Sequence, residues 1–297
     1  MKIKADWPTW LHAYKVREID KTFYACPEGC FGSGLELGAG DGFQSGLLSK
    51  YVRRLVSTEI NKLYLSRQEG GGVEYRVCSA EEAVAAGGDG SHDLVFSSNV
   101  LEHLPDPAAV LRGIHRVLKD DGVTIHIVPT PLWKLCHVLL YVPVTLAALA
   151  EQVVGRRGNG GMLREARFFF GQFVEGVRKG ANTLTERADR EEALRGNNPG
   201  IVTERRTFVR RLLAPRPHGV SETNLAEFSA LGRRRWLGMF GQAGLECFAI
   251  LNGPAASGYG LGWRWAEAAA EKAGLASELI YVAHKKGRQC RYAPFFS

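Results

Sequence analysis

Short apolar runs alternate with helical patterns between Gly34 and Pro129. This alternation predicts βαβ units and a parallel sheet. The pattern resumes near Glu222 with a helix and two further strands. The predicted strands are residues 35–39, 54–60, 73–79, 93–99, 123–129, 245–251 and 278–284. The sequence therefore predicts an α/β fold with an open, doubly wound, mostly parallel sheet of seven strands.

The clearest helix lies between the fourth and fifth predicted strands. Asp106 is a candidate N-cap, Pro107 suits the first turn, and apolar residues through Leu118 share one face. The polar residues 119–122 (KDDG) predict a turn into the fifth strand.

After Pro131 the alternation stops for about ninety residues. We predict a core of residues 1–130 and 222–297, in which residues 1–30 form a helical cap. Residues 131–221 are a mainly helical insertion after the fifth strand, and its first apolar stretch is a helical pair broken at Pro143.

The composition, 45% hydrophobic and 23% charged residues, is ordinary for a globular protein and excludes global disorder. The net charge of +7 favours approach to an anionic surface or substrate. Six scattered cysteines predict a reducing compartment and no metal site. The chain start lacks the apolar core of a signal peptide, and no run reaches the roughly 18 apolar residues of a membrane span. We expect a cytoplasmic protein. A further expectation is peripheral contact with the inner membrane face.

A glycine-rich segment, GLELGAGDG at residues 34–42, spans the first predicted strand and the loop that follows it. Glycines at a strand-to-helix turn let a ligand touch the backbone. Position 43 is Phe, where a dinucleotide-binding loop needs a third small residue, and no Gly-Lys-Ser/Thr ending follows. The loop therefore disfavours NAD, FAD and a phosphate-binding loop.

Two acidic residues restrict the class of ligand further. Glu36 lies two residues before Gly38, where a carboxylate suits an amine-bearing cation and would repel a pyrophosphate. Glu59 lies 21 residues after Gly38, at the end of the second strand, where it can accept hydrogen bonds from both ribose hydroxyls. A ribose, a positive centre and no phosphate together describe S-adenosylmethionine.

The stretch from Gly34 to Pro129 resembles the class I S-adenosylmethionine-dependent methyltransferases related to the quinone-biosynthesis C-methyltransferases. Residues 36–42 (ELGAGDG) resemble their first motif, and residues 93–122 (DLVFSSNVLEHLPDPAAVLRGIHRVLKDDG) resemble their fourth-strand motif and the following helix. The resemblance covers about a third of the chain closely and extends loosely over residues 222–284. Its motifs are specific for the cofactor and say little about the acceptor.

The resemblance, together with Glu36, implies a cofactor-binding set. These residues are Glu36, Gly38, Ala39, Gly40, Gly42, Glu59, Ser79, Ala80, Glu81, Ser98 and Asn99. The loop residues would line methionine and ribose, and the residues after the third strand would contact adenine. The family commonly has Asp where this chain has Ser79, so the usual contact to the adenine amine is in question. Ser98 and Asn99 would lie beside the sulfonium and the methionine carboxylate.

Methyl transfer mainly requires an acceptor held in line, and a general base only when the acceptor must lose a proton. His103 and His218 are the catalytic candidates. Each has a structural alternative, which is packing and loop anchoring for His103 and an ordinary loop position for His218. His126, between two isoleucines, favours a structural role.

The acceptor is predicted less directly. The sequence SSNV after the fourth strand disfavours exocyclic amines, and the absence of an RNA-binding module disfavours nucleic acid. Apolar residues at 163–177 share one helical face beside arginines, which is typical of an interfacial helix. A packed cap, a homodimer face, membrane docking and nucleic-acid binding stay open for the insertion.

Our leading hypothesis is O-methylation of an amphiphilic or lipid-linked acceptor at the membrane face, such as a glycolipid, a lipid-linked saccharide or a quinone-like ring. One alternative is a soluble small-molecule methyltransferase whose insertion is a lid. A second is a scaffold that binds the cofactor without catalysis.

Overall fold

The computed structural model describes residues 7–65, 72–154, 223–256, 258–259 and 263–296 of the chain. The chain divides into two compact units. The larger unit comprises Pro8–Cys136 and Pro217–Ser297, and the other comprises Met1–Trp7 and His137–Arg216. The sheet and all candidate site residues considered below, apart from His218, belong to the described part of the larger unit.

Seven strands form one sheet in the order β3-β2-β1-β4-β5-β7-β6. The strands are β1 (Gly34–Leu37), β2 (Leu55–Glu59), β3 (Val73–Val77), β4 (His92–Ser98), β5 (Leu118–Pro129), β6 (Leu245–Asn252) and β7 (Glu278–Lys285). The first five are parallel, and β7 runs antiparallel to both of its neighbours. The predicted α/β, mostly parallel sheet is confirmed.

The helices connect these strands and cover the sheet. They are α1 (Trp7–Thr22), α2 (Phe43–Leu48), α3 (Lys62–Leu65), α4 (Ala80–Ala86), α5 (Pro107–Val117), α6 (Pro131–Val154), α7 (Asn224–Ala230), α8 (Arg233–Gln242) and α9 (Arg264–Lys272), with 3-10 turns at Leu101–His103 and Ala293–Phe295. None of the described helices combines the length and apolarity that crossing a membrane requires.

Strand β4 shows how the sequence pattern builds the core. Leu94 and Phe96 contact one apolar cluster, which includes Ile19 of α1, while Val95 contacts the other, which includes Val110 of α5. Successive side chains of a strand point to opposite faces, so both faces of the sheet are covered. Each such fully buried side chain contributes about 1.5–3 kcal/mol to stability.

Helix α5 begins as predicted, because the Asp106 carboxylate accepts the Ala109 N–H at 2.9 Å. The predicted turn at residues 119–122 is wrong, since β5 already begins at Leu118. Leu118 is fully buried and pairs with His92, and a register shift before Leu94 accommodates the extra residues.

Two further helix boundaries differ from the prediction. The pattern over residues 225–240 forms two helices, α7 and α8, because the chain breaks at Leu231 and Gly232. Helix α6 continues through Pro143, where the sequence predicted a break.

A polar cluster closes the amino end of β4. The Asp93 carboxylate accepts hydrogen bonds from Ser33 N at 2.8 Å, Lys119 Nζ at 2.9 Å, Arg291 Nη2 at 2.7 Å and the Tyr292 hydroxyl at 3.0 Å. Burial acts to raise the pKa of Asp93, but these donors outweigh it and lower the pKa to about 2. Ser98 lies at the other end of the same strand, so β4 is held firmly beneath the candidate site.

Candidate active site

The glycine-rich loop joins β1 to α2 at the carboxyl edge of the parallel strands. Gly38, Gly40 and Gly42 have φ angles of 78°, 55° and 75°, a region that side chains other than glycine rarely adopt. A Cβ on Gly38 would lie 2.3 Å from Val100 Cγ2, whereas a Cβ on Gly40 would meet no atom within 4 Å. Gly38 is therefore required by packing, and Gly40 leaves open space above the loop.

Glu59, at the end of β2, is bound to this loop. Its Oε2 accepts the Gly40 N–H at 2.9 Å, and its Oε1 accepts the Asn61 N–H, also at 2.9 Å. A carboxylate has about four lone-pair sites, so both oxygens can accept further hydrogen bonds. The structure therefore brings the predicted acidic residue and the predicted glycines together.

Glu36 lies beneath the loop and is only 1% exposed. Its Oε2 accepts hydrogen bonds from Ser45 Oγ at 2.5 Å and Ser57 Oγ at 2.7 Å. Burial raises the pKa of Glu36, although both serines act in the opposite direction. Its buried Oε1 has no hydrogen-bond partner among the described residues, so one acceptor is left for a ligand amine or a water.

The residues after β3 adopt a local helix start. Ser79 caps α4, because its Oγ accepts the Glu82 N–H at 3.1 Å and the Glu82 carboxylate accepts the Ser79 N–H at 2.8 Å. Ala80 is buried and Glu81 is half-buried in the first turn of the same helix. The capping box occupies the Ser79 hydroxyl. The Ser79 O–H, the backbone and Glu81 remain as groups through which this segment could contact a ligand.

Ser98 and Asn99 end β4 inside a buried polar network that includes two residues of α1. Ser98 Oγ lies 2.6 Å from both Lys15 Nζ and Glu18 Oε1. The Glu18 carboxylate also accepts from Lys15 at 3.0 Å and from Gln44 Nε2 at 2.6 Å. Sequence reasoning missed these α1 residues, because nothing local places them against β4.

A second missed residue, Glu278, faces the same network from the start of β7. Its Oε1 accepts Asn99 Nδ2 at 2.8 Å, and Asn99 itself has a positive φ of 55°. Burial, followed by the Glu18 carboxylate, raises the pKa of Glu278 to about 8. Burial alone would lower the pKa of Lys15, but the Glu18 and Glu278 carboxylates outweigh it and raise that pKa.

Helix α1 also contacts the glycine-rich loop directly. His12 Nε2 lies 2.7 Å from Asp41 Oδ2, and the His12 ring stacks on Phe43 with 3.9 Å between ring centroids. The predicted N-terminal helical cap thus supplies polar side chains on two sides of the loop.

The histidines have different surroundings. His103 lies in the 3-10 turn after β4, its side chain is 39% exposed, and burial lowers its pKa. His126 is fully buried between Ser97 Oγ and Thr124 Oγ1, each at 2.7 Å, and burial lowers its pKa to about 3, so it is a neutral structural residue. His218 lies outside the described residues. Within the described ranges, no group of three or more potential ligands could hold a metal ion.

Comparisons with known proteins converge on the same segment. Residues 35–126 match the methyltransferase domain family. This segment of the chain is a methyltransferase domain. This methyltransferase domain is similar to a ubiquinone biosynthesis O-methyltransferase of Pseudomonas aeruginosa, with 31% identity over 94 residues, which cover 30% of this chain and 40% of the relative. A ubiquinone biosynthesis O-methyltransferase from Xanthomonas oryzae is 48% identical over 50 residues, which cover 17% of this chain and 20% of the relative.

The chain thus spans less than half the length of these curated relatives. A solved structure of an S-adenosylmethionine-dependent methyltransferase from Listeria monocytogenes aligns with a TM-score of 0.50. That alignment has 10% identity and covers 94% of this chain and 99% of the other, so it shows a shared fold.

Two observations indicate that the residues around the glycine-rich loop of the methyltransferase domain suit S-adenosylmethionine. The open space above Gly40 leaves room for a ligand against the backbone. The buried network beside Ser98 contains two carboxyl groups, Glu18 and Glu278, against the one ammonium of Lys15. Such a network favours a positively charged ligand.

Proposed function

We propose that this chain transfers a methyl group from S-adenosylmethionine to an oxygen of a small acceptor. The observation that carries the proposal is Glu59, whose carboxylate accepts the Gly40 N–H at 2.9 Å beside open space above the loop. Ribose hydroxyls can donate to the remaining lone pairs of that carboxylate.

Each part of the site has a binding role in this proposal. The bound cofactor supplies an electrophilic methyl group on a sulfonium. Lys15 would hold the methionine carboxylate, and the buried Oε1 of Glu36 would accept from the amine directly or through a water. Ser98 and Asn99 would position the sulfonium end of the cofactor, because hydrogen bonds to Glu18 and Glu278 hold these two side chains in place.

Oxygen is the atom that we propose to be methylated. The relatives that match the domain are named as O-methyltransferases, and the SSNV sequence after β4 disfavours exocyclic amines. A hydroxyl acceptor must lose a proton during transfer, and carboxyl groups are buried at this edge of the sheet.

We further propose that the acceptor is amphiphilic or lipid-linked. The support is the sequence of residues 163–179, where basic residues flank apolar and aromatic residues, and the net charge of +7. These residues lie outside the described part of the chain. Flotation with anionic vesicles should carry the protein upward, and neutral vesicles should carry less. Protein that floats with neither vesicle favours the soluble small-molecule alternative with a lid.

Calorimetry with S-adenosylhomocysteine tests cofactor binding. Glu59→Ala should weaken binding by about 1–3 kcal/mol, or roughly 5–150-fold, because it removes a hydrogen-bonded carboxylate. The matched control is Glu74→Ala, an exposed β3 glutamate that pairs with Arg76 and should leave affinity unchanged. Wild-type protein that does not bind, or equal affinities for both variants, would contradict the proposal.

A further inference from the structure

Two cysteines, Cys26 and Cys30, lie together in the connection between helix α1 and strand β1. This connection forms a parallel bridge, from Phe31 to Val52, just before β1 and β2 begin. It therefore lies at the amino edge of the parallel strands, whereas the glycine-rich loop lies at their carboxyl edge. Both cysteines are free and half-buried, so each keeps some contact with solvent.

A turn brings the two cysteines together. The Cys30 N–H donates to the Pro27 carbonyl at 3.3 Å, and Gly29 within the turn has a φ of 63°. The Cys26 thiol and the Cys30 sulfur form a hydrogen bond. The sulfur atoms of a disulfide are about 2.05 Å apart, and thiols already in hydrogen-bond contact can reach that distance by side-chain rotation.

The fold holds this turn from both ends. The Cys26 N–H donates to the Phe23 carbonyl at 3.0 Å, and Phe23 is 1% exposed. On the other side, the Gly29 N–H donates to the Lys50 carbonyl at 2.8 Å, and Arg53 Nε donates to the Gly29 carbonyl at 2.8 Å. The native structure therefore keeps the two sulfur atoms close, whereas an unfolded chain must lose conformational freedom to bring them together.

The surroundings make Cys30 the more reactive of the two. The hydrogen bond from Cys26 lowers the pKa of Cys30, and although burial opposes it, nearby backbone N–H groups and Arg53 act in the same direction as Cys26. The same hydrogen bond, followed by burial, raises the pKa of Cys26. Burial raises the pKa of the remaining four cysteines. Since the thiolate is the nucleophile, Cys30 should react first.

We propose that Cys26 and Cys30 form a reversible dithiol–disulfide pair, which exchanges with a low-molecular-weight disulfide such as glutathione disulfide. When closed, the pair joins the chain that leaves α1 to the chain that enters β1. The pair is independent of the proposed methyl transfer, because it lies at the opposite edge of the sheet from the candidate cofactor residues.

The exchange has two steps. The Cys30 thiolate attacks one sulfur of the reagent, the reagent's sulfur–sulfur bond breaks, and one thiolate leaves. Cys26 then loses its proton to water, attacks the Cys30 sulfur of the mixed disulfide and releases the second thiolate. The two cysteines lose two electrons and the reagent gains them. The two protons of the cysteine thiols end on the two released thiols.

Mass spectrometry of the full chain tests the pair. The protein is equilibrated with a glutathione redox buffer, free thiols are alkylated with iodoacetamide, and trypsin then releases both cysteines in one peptide, residues 22–50. The closed pair is the form of this peptide that carries no alkyl group and no glutathione. The equilibrium constant for closing the pair should be roughly tenfold or more larger in the native protein than in protein unfolded in urea.

Two variants check the order of the steps. Cys26→Ser should accumulate the mixed disulfide on Cys30, because no second thiol can release it. The matched control is Cys78→Ser, at a half-buried cysteine before α4, which should behave as wild type. A native protein without the closed pair, or equal equilibrium constants in native and unfolded protein, would overturn the proposal.

Timed alkylation with iodoacetamide tests the assignment of Cys30 as the attacking thiol. Cys30 should be modified before the other five cysteines. Cys26→Ala should slow this modification about threefold or more, because it removes the hydrogen bond that favours the thiolate. Cys26→Ser keeps a hydroxyl donor and should restore the rate. Alkylation spread evenly over the cysteines, or equal rates in the alanine variant and the wild type, would contradict the assignment.

Discussion

The glycine-rich loop and a buried polar layer beyond β4 differ in which atoms they present. The polar layer consists of Lys15, Glu18, Ser98, Asn99, Glu102, Lys134, Glu227, Trp236 and Glu278. In the loop, positive φ angles orient the backbone groups, and the Glu59 carboxylate accepts hydrogen bonds from two backbone N–H groups. In the layer, side chains supply the polar groups, and polar atoms of Glu102 and Trp236 have no hydrogen-bond partner among the described residues. The loop suits a ligand shared by many enzymes, since it presents backbone groups that glycines at positive φ leave accessible. The chemistry of the layer depends on individual side chains.

The difference also concerns stability. A loop whose backbone groups are hydrogen-bonded costs little folding free energy when glycines occupy its positive-φ positions. Buried carboxyl groups lower stability unless a partner or a ligand compensates them. Functional sites commonly keep such destabilising groups.

The largest expected effect comes from breaking the ion pair of the polar layer. Lys134 and Glu227 are 1% and 3% exposed, and their charged atoms lie 2.6 Å apart. Lys134→Met should lower the free energy of unfolding by about 3–5 kcal/mol, because it leaves a buried carboxylate without its cation. Urea unfolding measures this loss.

The control for this prediction is Lys50→Met, an exposed position after α2, which should change stability by less than about 0.5 kcal/mol. Adding Glu227→Gln to Lys134→Met should recover most of the loss. Equal effects at positions 50 and 134 would show that the layer does not depend on the pair.

Two alanine substitutions separate packing from ligand space within the loop. Gly38→Ala combines a positive φ with a Cβ 2.3 Å from Val100, so it should cost about 2–5 kcal/mol of stability. Gly40→Ala meets no atom and should cost only about 1–2 kcal/mol for its φ. Thermal unfolding and calorimetry with S-adenosylhomocysteine on both variants should show weakened binding in Gly40→Ala despite its milder stability loss. A Gly40→Ala protein with full affinity would contradict a ligand above that residue.

The most gradual effect is a pH slope. The pKa of Glu102 is raised from 4.5 to about 8 in the folded protein, so between these values the folded state holds a proton that the unfolded state has lost. Its contribution to stability therefore falls as pH rises, by about 1.4 kcal/mol per pH unit. Glu102→Gln should remove this slope, and urea unfolding across that pH range compares the two proteins. Parallel curves would show that Glu102 titrates normally.

The sequence predicted the sheet well, because alternation of apolar runs and helical patterns depends on burial alone. It placed Glu59 beside the glycines, since parallel strands end at one edge. The boundary at Leu118 was wrong because polar residues 119–122 suggested a turn, while Asp93 and Lys119 pair across extended chain.

The polar layer could not be predicted in the same way. Lys15, Glu18 and Glu278 meet Ser98 and Asn99 only through tertiary packing, and no local spacing signals this. Glu102 precedes His103, the catalytic candidate, yet only the structure shows that its carboxyl group is buried and accepts no hydrogen bond from another described residue. A charged residue adjoining a strongly apolar strand, such as Glu278 before LIYVA, is the one signal that was available.

Helix α1 and strand β7 give the site a consequence for biosynthesis. The Tyr14 hydroxyl donates to the Pro254 carbonyl across 240 residues of chain, and Glu278 lies further still along the sequence. During translation α1 emerges long before either partner. Lys15 and Glu18 must therefore stay hydrated until β7 has left the ribosome. A nascent chain that stalls before β7 would have a glycine-rich loop but no pocket to bind with, so cofactor could assist only the last step of its folding.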